Sequence, residues 1–248
     1  MILITGGSGY LGKELIKLFP DSLHPAHKEL DITDDENVKE VIKKSKPSII
    51  IHLAGLTGIR ECENDKKLAW ESNYLGTLNL IKACEQFNNE CYFVYMSATG
   101  VFYGDRGSYS EDDLPYPINY YGLTKFLGEV ALQSSNLKKW LIIRANCVHL
   151  GRWHYPKAFV DRYGTYLFTN DTAKAIKDVI TQGLTGIVHI AGEEKMSLYE
   201  VVKITTPDVQ PITLKEYDGP PAPVDMSLVS KRIKPYKITK NVQTVTTD

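Results

Sequence analysis

Three glycines near the start of the chain, spaced three residues apart, constrain the fold more than any other feature. Gly6, Gly9 and Gly12 follow the short apolar run Ile2–Thr5 and precede a segment whose apolar residues recur at helical spacing. A glycine-rich turn between a strand and a helix lets backbone N–H groups and the positive end of the helix dipole approach phosphate groups. This GxxGxxG turn therefore predicts a βα unit that binds the pyrophosphate of a dinucleotide. The alternative is a turn that binds nothing.

Apolar strand-like runs and helical patterns alternate over the first 150 residues. The predicted helices span residues 11–19, 34–44, 69–87 and 120–132, and the later predicted strands span residues 48–53, 92–96 and 140–144. Strands separated by helices form βαβ units, which close right-handed into a parallel sheet covered on both faces. The predicted fold class is therefore α/β, with a Rossmann-type doubly wound parallel sheet.

Beyond residue 150 the alternation is less regular. A helical pattern over residues 170–181 and a strand-like run over residues 186–191 indicate that residues 170–192 complete the sheet of a dinucleotide-binding domain formed by residues 1–150. The segments 151–169 and 193–240 are expected to form a small C-terminal lobe. The polar tail, residues 241–248, is expected to be frayed.

Composition excludes several classes of partner. The chain has 248 residues, 43% of them hydrophobic, and a formal net charge of −1, so it can bury a core and has no general attraction to nucleic acid or anionic membranes. No run approaches the roughly 18 apolar residues that a membrane span needs. The four cysteines form no CxxC pair and no histidines have metal-ligand spacing, which predicts reduced structural thiols, no metal and a cytoplasmic location.

The region where the second strand should end bears on the choice between NAD(H) and NADP(H). An acidic residue there binds the ribose 2′-hydroxyl of NAD(H), whereas basic residues favour the 2′-phosphate of NADP(H). The chain presents His24, His27 and Lys28 before any acidic residue. NADP(H) is therefore favoured over NAD(H), and Asp31 with Ile32 is expected to lie near the adenine.

A tyrosine and a lysine four residues apart are the candidate catalytic pair. Tyr121 and Lys125 lie in a predicted helix, where residues i and i+4 share a face. A lysine ammonium beside the phenol favours its anion, so Lys125 is expected to lower the pKa of Tyr121 and fit it for proton transfer. Thr99 follows the strand 92–96, whose carboxyl end lies on the same sheet edge as the glycine turn. Its hydroxyl is expected to hydrogen-bond a substrate carbonyl beside Tyr121.

Together these residues resemble the extended short-chain dehydrogenase/reductase superfamily, and most closely its dTDP-4-dehydrorhamnose reductase family. The motifs that carry the resemblance are TGGSGYLG (5–12), LAG (53–55), Asn73, SATGVFYGD (97–105), YGLTK (121–125) and PVDMSL (223–228). The resemblance covers nearly the whole chain and is most specific in the N-terminal two-thirds. It implies that the C-terminal lobe binds substrate and, at family level, that a homodimer forms through the helices at 69–87 and 120–132.

The resemblance implies a reductase that uses NADP(H) or NAD(H) to reduce a 4-keto nucleotide sugar. Tyr121 would then donate a proton to the carbonyl oxygen as hydride leaves the nicotinamide, Lys125 would hold the ribose, and Thr99 would orient the carbonyl. The implied cofactor-binding residues are Gly6, Ser8, Gly9, Tyr10, Leu11, Gly12, His27, Asp31, Ile32, Leu53, Ala54, Gly55, Asn73, Tyr121 and Lys125.

The second half of the chain departs from the family pattern. Residues 151–168 form a shorter segment than usual before the next helix, and Ala222 stands where an arginine usually precedes the proline of the last motif. The cofactor half is therefore expected to be intact and the substrate half trimmed. An epimerase or dehydratase acting on another sugar nucleotide stays open as an alternative, and so does a non-catalytic NADP-binding regulatory subunit.

Overall fold

The computed structural model describes residues 1–240, so the tail predicted to be frayed, residues 241–248, lies outside the described residues. The strands are β1 (Ile2–Thr5), β2 (Ile49–His52), β3 (Tyr92–Met96), β4 (Lys139–Val148), β5 (Lys157–Phe159), β6 (Tyr163–Gly164), β7 (Tyr166–Phe168), β8 (Gly186–Ile190), β9 (Met196–Ser197) and β10 (Gln210–Ile212). The helices are α1 (Tyr10–Leu18), α2 (Asp35–Ser45), α3 (Ile59–Asn64), α4 (Lys66–Ala69), α5 (Gly76–Phe87), α6 (Tyr120–Gln133), α7 (Thr169–Thr181) and α8 (Leu198–Lys203).

Six of these strands form one parallel sheet in which β4 is the longest member. β1, β2, β3 and β4 pair in that order, and every pairing is parallel. Residues 141–145 of β4 then pair with β8, while residues 146–148 pair with β7, so the ten-residue strand β4 has two successive neighbours along one edge. The prediction of an α/β fold with a Rossmann-type parallel sheet is confirmed.

The sheet is covered on both faces because adjacent strand residues point in opposite directions. Leu3 and Ile50 pack towards α2, α5 and α6 in one apolar cluster. Their neighbours Ile4 and Ile51 pack on the other face, towards α1 and α7. All four side chains are at most 1% exposed. Near-continuous apolar strands with two helical layers therefore account for the runs that the sequence shows.

The strand expected between α1 and α2 is reduced to a single bridge. Leu23 forms a single parallel bridge to Leu3, supported by backbone hydrogen bonds from Ile4 N to Leu23 O and from Leu23 N to Ile2 O. The chain then enters turns, because Pro25 offers no N–H for a further ladder bond. The segment that should choose between cofactors is therefore a loop rather than the end of a full strand.

The long helix predicted at residues 69–87 is divided into three parts. Helical backbone begins earlier, at α4, passes through a π-helical turn at Trp70–Leu75, and continues as α5. Asn73 lies in the π-helical turn, and its amide accepts a hydrogen bond from Leu56 N and donates one to Leu56 O. This turn thus directs a polar side chain at the loop that follows β2.

Several short elements after β4 pair with one another outside the main sheet. β5 pairs with β10, β6 pairs with β9, and α8 contributes to a separate apolar cluster. The division into a dinucleotide-binding domain and a substrate-binding lobe stays a prediction. Within residues 1–240, no helix is both long and apolar enough to cross a bilayer.

Candidate active site

A cavity of about 680 Å³ opens at the carboxyl ends of the central strands. Its walls come from the loops after β1 and β2, from the end of β3, from α6 and from the second half of β4. The lining residues are Thr5, Gly6, Gly7, Ser8, Gly9, Tyr10, Leu11, Gly12, Pro25, His27, Leu30, Ile32, Leu53, Ala54, Gly55, Thr57, Met96, Ser97, Ala98, Tyr121, Lys125, Ala145, Cys147, His149 and Thr169. This volume lies within the range of about 300–1,000 Å³ that small-molecule sites occupy, and the location is the one where open parallel sheets bind ligands.

The glycine turn forms the floor of the cavity beside the first turn of α1. Gly6 has a φ of +73°, and a Cβ there would lie 2.7 Å from the backbone N of Ala54. A Cβ on Gly12 would lie 2.3 Å from the carbonyl oxygen of Gly6. Gly9 caps α1 without a side-chain hydrogen bond, so the first N–H groups of the helix are available to an anion.

The loop after the Leu23 bridge forms one end of the cavity. Pro25, His27 and Ile32 line it, whereas Asp31 is not a lining residue. The carboxylate of Asp31 instead accepts hydrogen bonds from the Thr33 hydroxyl at 2.7 Å and the Thr33 N–H at 2.9 Å, which lower the pKa of Asp31. The prediction that Asp31 lies near an adenine stays a prediction, since its side chain is 39% exposed and only Oδ1 accepts from Thr33.

Tyr121 and Lys125 line the same cavity from the first turns of α6. Asn119 caps this helix by accepting a hydrogen bond from Gly122 N at 2.9 Å, which fixes where the helix begins. Lys125 is 6% exposed, and its Nζ lies 4.2 Å from the centroid of the Tyr95 ring. Burial lowers the pKa of Lys125 to about 7. The lysine is therefore easily discharged near neutral pH.

The protonation of Tyr121 differs from the sequence-based expectation. Protein atoms surround the phenol although it borders the cavity, and this loss of solvation raises the pKa of Tyr121 well above its usual value. The nearby thiols of Cys62 and Cys147 raise the pKa further. The expectation that the pKa of Tyr121 is lowered is thus wrong, because burial raises it. Tyr121 stays protonated at neutral pH, which is the form that donates a proton.

Thr99 is not brought together with this pair. Its side chain is 4% exposed, its hydroxyl donates to Asn146 Oδ1, and its oxygen lies 3.6 Å from Met226 Sδ. The cavity wall at the end of β3 is formed by Met96, Ser97 and Ala98 instead. The prediction that the Thr99 hydroxyl faces a substrate carbonyl is corrected, because the backbone turns at Thr99–Val101 and directs that hydroxyl into the protein.

Asn73 supports the site from outside the cavity. Besides its two hydrogen bonds to Leu56, its amide donates to Thr124 Oγ1 at 3.0 Å. The side chain is 1% exposed and does not line the cavity. Asn73 therefore joins the loop after β2 to α6, and its predicted direct contact with cofactor is corrected to this supporting position.

A buried ion pair fixes α6 on β4 beneath the tyrosine and lysine. Arg144 donates from Nε and Nη2 to the carboxylate of Glu129, at 2.9 and 2.6 Å. Ser97 also donates its hydroxyl to Glu129. Glu129 and Arg144 are at most 1% exposed, so charge-assisted hydrogen bonds replace their hydration. The pair lies one helical turn beyond Lys125 and holds that helix in register with the sheet.

Several lining residues were not predicted from the sequence. His149 is one of them: its ring stacks on that of the predicted residue Tyr10, with ring centroids 3.7 Å apart. Tyr10 Oη also lies 2.8 Å from His154 Nε2. Cys147 and Thr169 complete this side of the cavity. His149, Cys147 and Thr169 lie at or just after the carboxyl ends of β4 and β7. Parallel sheets bind ligands at this edge, so the rule could have located these residues.

The comparisons with known proteins agree with this geometry. Residues 1–180, more than half of the chain, match the family model described as the RmlD substrate binding domain. dTDP-4-dehydrorhamnose reductase from Aggregatibacter actinomycetemcomitans is 30% identical over 80% of this chain and 76% of its own length. Methionine adenosyltransferase 2 subunit beta from Xenopus laevis is 26% identical over 94% of this chain and 81% of its own length.

A solved structure gives the same result in three dimensions. The dTDP-4-dehydrorhamnose reductase from Bacillus anthracis, solved in complex with NADP, superposes with a TM-score of 0.83 at 27% identity, covering 92% of this chain and 89% of that one. The sequence matches therefore point to the same family as the glycine turn, the order of the sheet and the position of the cavity. The chain belongs to the RmlD family of the extended short-chain dehydrogenases/reductases, which are NAD(P)-dependent oxidoreductases.

Proposed function

We propose that this protein is an NADPH-dependent reductase of a 4-keto nucleotide sugar of the dTDP-4-dehydrorhamnose type. The observation that carries the proposal is that the glycine turn, Tyr121 and Lys125 all line one cavity. A dinucleotide held by the turn would extend along the same wall towards the tyrosine. The substrate class comes from the reductases that the chain resembles.

The residues present fit a dinucleotide. The close backbone approach at Gly12, which a Cβ would block, and the uncapped N–H groups of α1 suit a pyrophosphate. His27 and Ile32 border the end where an adenosine would lie, and Lys125 borders the end where a ribose and nicotinamide would lie. When bound, NADPH supplies the hydride.

The protein's own contribution is positioning and proton transfer. Tyr121 donates its phenolic proton to the carbonyl oxygen of the substrate, and burial keeps that proton in place at neutral pH. Lys125 contributes positive charge that attracts the cofactor and stabilises the developing negative charge on oxygen. The apolar walls given by Met96, Ala98 and Ala145 exclude water from the reacting atoms.

The function is tested by NADPH oxidation with dTDP-4-dehydro-6-deoxy-L-mannose, followed by identification of the product. Consumption of NADPH with formation of the 4-hydroxy sugar supports a reductase. A tightly retained cofactor with no net oxidation would support an epimerase instead. Binding of NADPH without turnover on dTDP-, UDP- and GDP-linked 4-keto sugars would contradict the proposal.

A regulatory subunit is the second candidate function. The observation that favours it is the similarity to methionine adenosyltransferase 2 subunit beta along 94% of this chain. Co-purification with a partner enzyme, together with NADPH binding and no turnover, would support this reading. The homodimer through residues 69–87 and 120–132 also stays a prediction, which sedimentation of the purified protein tests.

The affinity for NADPH is expected to fall as pH rises above about 7. Lys125 has a lowered pKa of about 7 in the free protein, and an anionic cofactor beside it raises that pKa, so binding takes up a proton. Linkage then weakens binding about tenfold for each pH unit between the free and bound pKa values. Fluorescence titrations between pH 6 and 9 measure this. Lys125→Arg keeps its charge throughout and should remove the dependence; a flat wild-type profile would contradict it.

The preference for NADPH over NADH is expected to depend on His27. An aspartate at position 27 would place a carboxylate near the 2′-phosphate of NADPH. The repulsion costs about 1 kcal/mol in water and up to about 4 kcal/mol nearer the protein surface, for unit charges about 4 Å apart. His27→Asp should therefore lower the ratio of NADPH to NADH affinity about fivefold or more. His24→Asp, outside the cavity lining, is the matched control. Equal ratios in the two variants would contradict the placement of the 2′-phosphate.

A further inference from the structure

Both hydroxyl groups at the end of β3 are hydrogen-bonded to partners inside the protein, although Ser97 is itself one of the lining residues. Ala98 has extended backbone, with φ −147° and ψ 159°, so its neighbours Ser97 and Thr99 project to the side opposite its own. The hydroxyl of Ser97 donates to Glu129, and that of Thr99 donates to Asn146. Both hydroxyls are therefore committed to buried partners.

Those partners form one polar layer beside β4. Glu129 is held by Arg144, and Asn146 follows Arg144 by two residues on β4, so Arg144 and Asn146 share a face of that strand. Asn146 is in addition fixed by its own hydrogen bond to Met226 O at 2.8 Å. Rotating the Thr99 hydroxyl towards the cavity would leave the buried Asn146 Oδ1 without its donor, which costs about 1–3 kcal/mol. Rotating the Ser97 hydroxyl would remove one of the two donors to Glu129 Oε1.

Ala98 lies on the side of the strand opposite both hydroxyls and borders the cavity next to Met96 and Ser97. It lines the cavity together with Tyr121 and Lys125, and it is 8% exposed. Its methyl group can neither donate to a carbonyl oxygen nor accept from Tyr121. The strand end therefore adds no second donor to the phenol.

We propose that Ala98 leaves Tyr121 to donate to the substrate carbonyl without a second hydroxyl donor from the end of β3, and that turnover is limited by this missing donor. The inference rests on the proposed reductase function and concerns the same site. A donor aimed at a developing oxyanion is commonly worth about 10²- to 10³-fold in kcat. Part of that factor should be recoverable by replacing the methyl group with a hydroxymethyl group.

The first test is the kinetics of Ala98→Ser. We expect kcat with the 4-keto sugar to rise about tenfold or more, with little change in the Kd for NADPH, because the added hydroxyl acts on the reacting carbonyl. Ala98→Gly changes the volume without adding a donor and should show no such rise. Thr99→Val should leave kcat, per folded molecule, far closer to wild type than Tyr121→Phe does. A loss in Thr99→Val as large as in Tyr121→Phe would overturn the proposal.

The second test needs no substrate. In protein labelled with [ζ-¹³C]tyrosine, the Tyr121 resonance is assigned by its absence in Tyr121→Phe. Ala98→Ser should shift this resonance because a hydroxyl now borders the phenol, whereas Thr99→Val should not. An unshifted resonance in folded Ala98→Ser overturns the placement of residue 98. A shifted resonance with no turnover in either protein supports that placement and counts against the reductase function instead.

Discussion

Replacing Tyr121 with phenylalanine is expected to lower kcat about 10²- to 10⁴-fold, the range associated with a positioned general acid. The substitution removes one oxygen and keeps the ring that borders Gly100, so packing at the start of α6 is retained. Binding of NADPH should change little because the glycine turn and Lys125 remain. Steady-state kinetics combined with a fluorescence titration of NADPH separate the two effects.

Tyr120→Phe is the matched control for this prediction. Tyr120 is the adjacent residue, lies outside the cavity lining, and has Lys66 Nζ 5.5 Å from its ring centroid. Its loss of a hydroxyl should leave kcat nearly unchanged. Full turnover in Tyr121→Phe would show that Tyr121 is not the proton donor.

Local patterns predicted the fold well because the determinants of each element lie close together in sequence. The turn from Gly6 to Gly12 could be assigned from a strand, three glycines and a helix that are contiguous. α2 was predicted at residues 34–44 from its apolar spacing; it spans Asp35–Ser45, and Asp34 caps it by accepting from Glu36 N and Asn37 N. The parallel sheet then follows from the alternation of strands and helices.

The direction of single side chains could not be predicted in the same way. Ser97, Ala98 and Thr99 are consecutive, and the sequence does not say which of them faces the cavity. The answer depends on Asn146, which is 47 residues later and accepts the hydrogen bond of Thr99. The family resemblance suggested that the Thr99 hydroxyl faces the cavity. Only the local backbone shows that the Ala98 methyl group borders it instead.

The ends of elements that depend on distant contacts were also missed. The strand expected between α1 and α2 is reduced to the Leu23 bridge, because Pro25 has no N–H for a further ladder bond. His149 and Thr169 reach the cavity only once β4 has paired with β7. Such residues have no motif of their own, and the carboxyl-end rule for parallel sheets is the signal that could have found them.

Replacing Gly12 with alanine is expected to lower NADPH affinity at least about 10²-fold and to destabilise the fold. The new Cβ would lie 2.3 Å from Gly6 O and 2.7 Å from Gly7 Cα, and both are backbone atoms of the turn. Relief therefore requires the turn to open, which moves the N–H groups that face the pyrophosphate. Overpacking of this kind costs about 1–3 kcal/mol in free energy of unfolding. Urea unfolding and NADPH titration measure the two losses.

Gly9→Ala separates these two effects. A Cβ on Gly9 would contact only Gly6 O, at 3.3 Å, so stability should hold while the close approach of a pyrophosphate is impaired. Alanine is also a better helix former than glycine by about 1 kcal/mol, and Gly12 lies within α1. Helix propensity alone would therefore make Gly12→Ala more stable than the wild-type protein. A net loss of stability in this variant would therefore report the clash in the glycine turn. If Gly12→Ala were as stable as the wild-type protein and bound NADPH with unchanged affinity, helix α1 and the glycine turn would not be packed as closely as the structure describes.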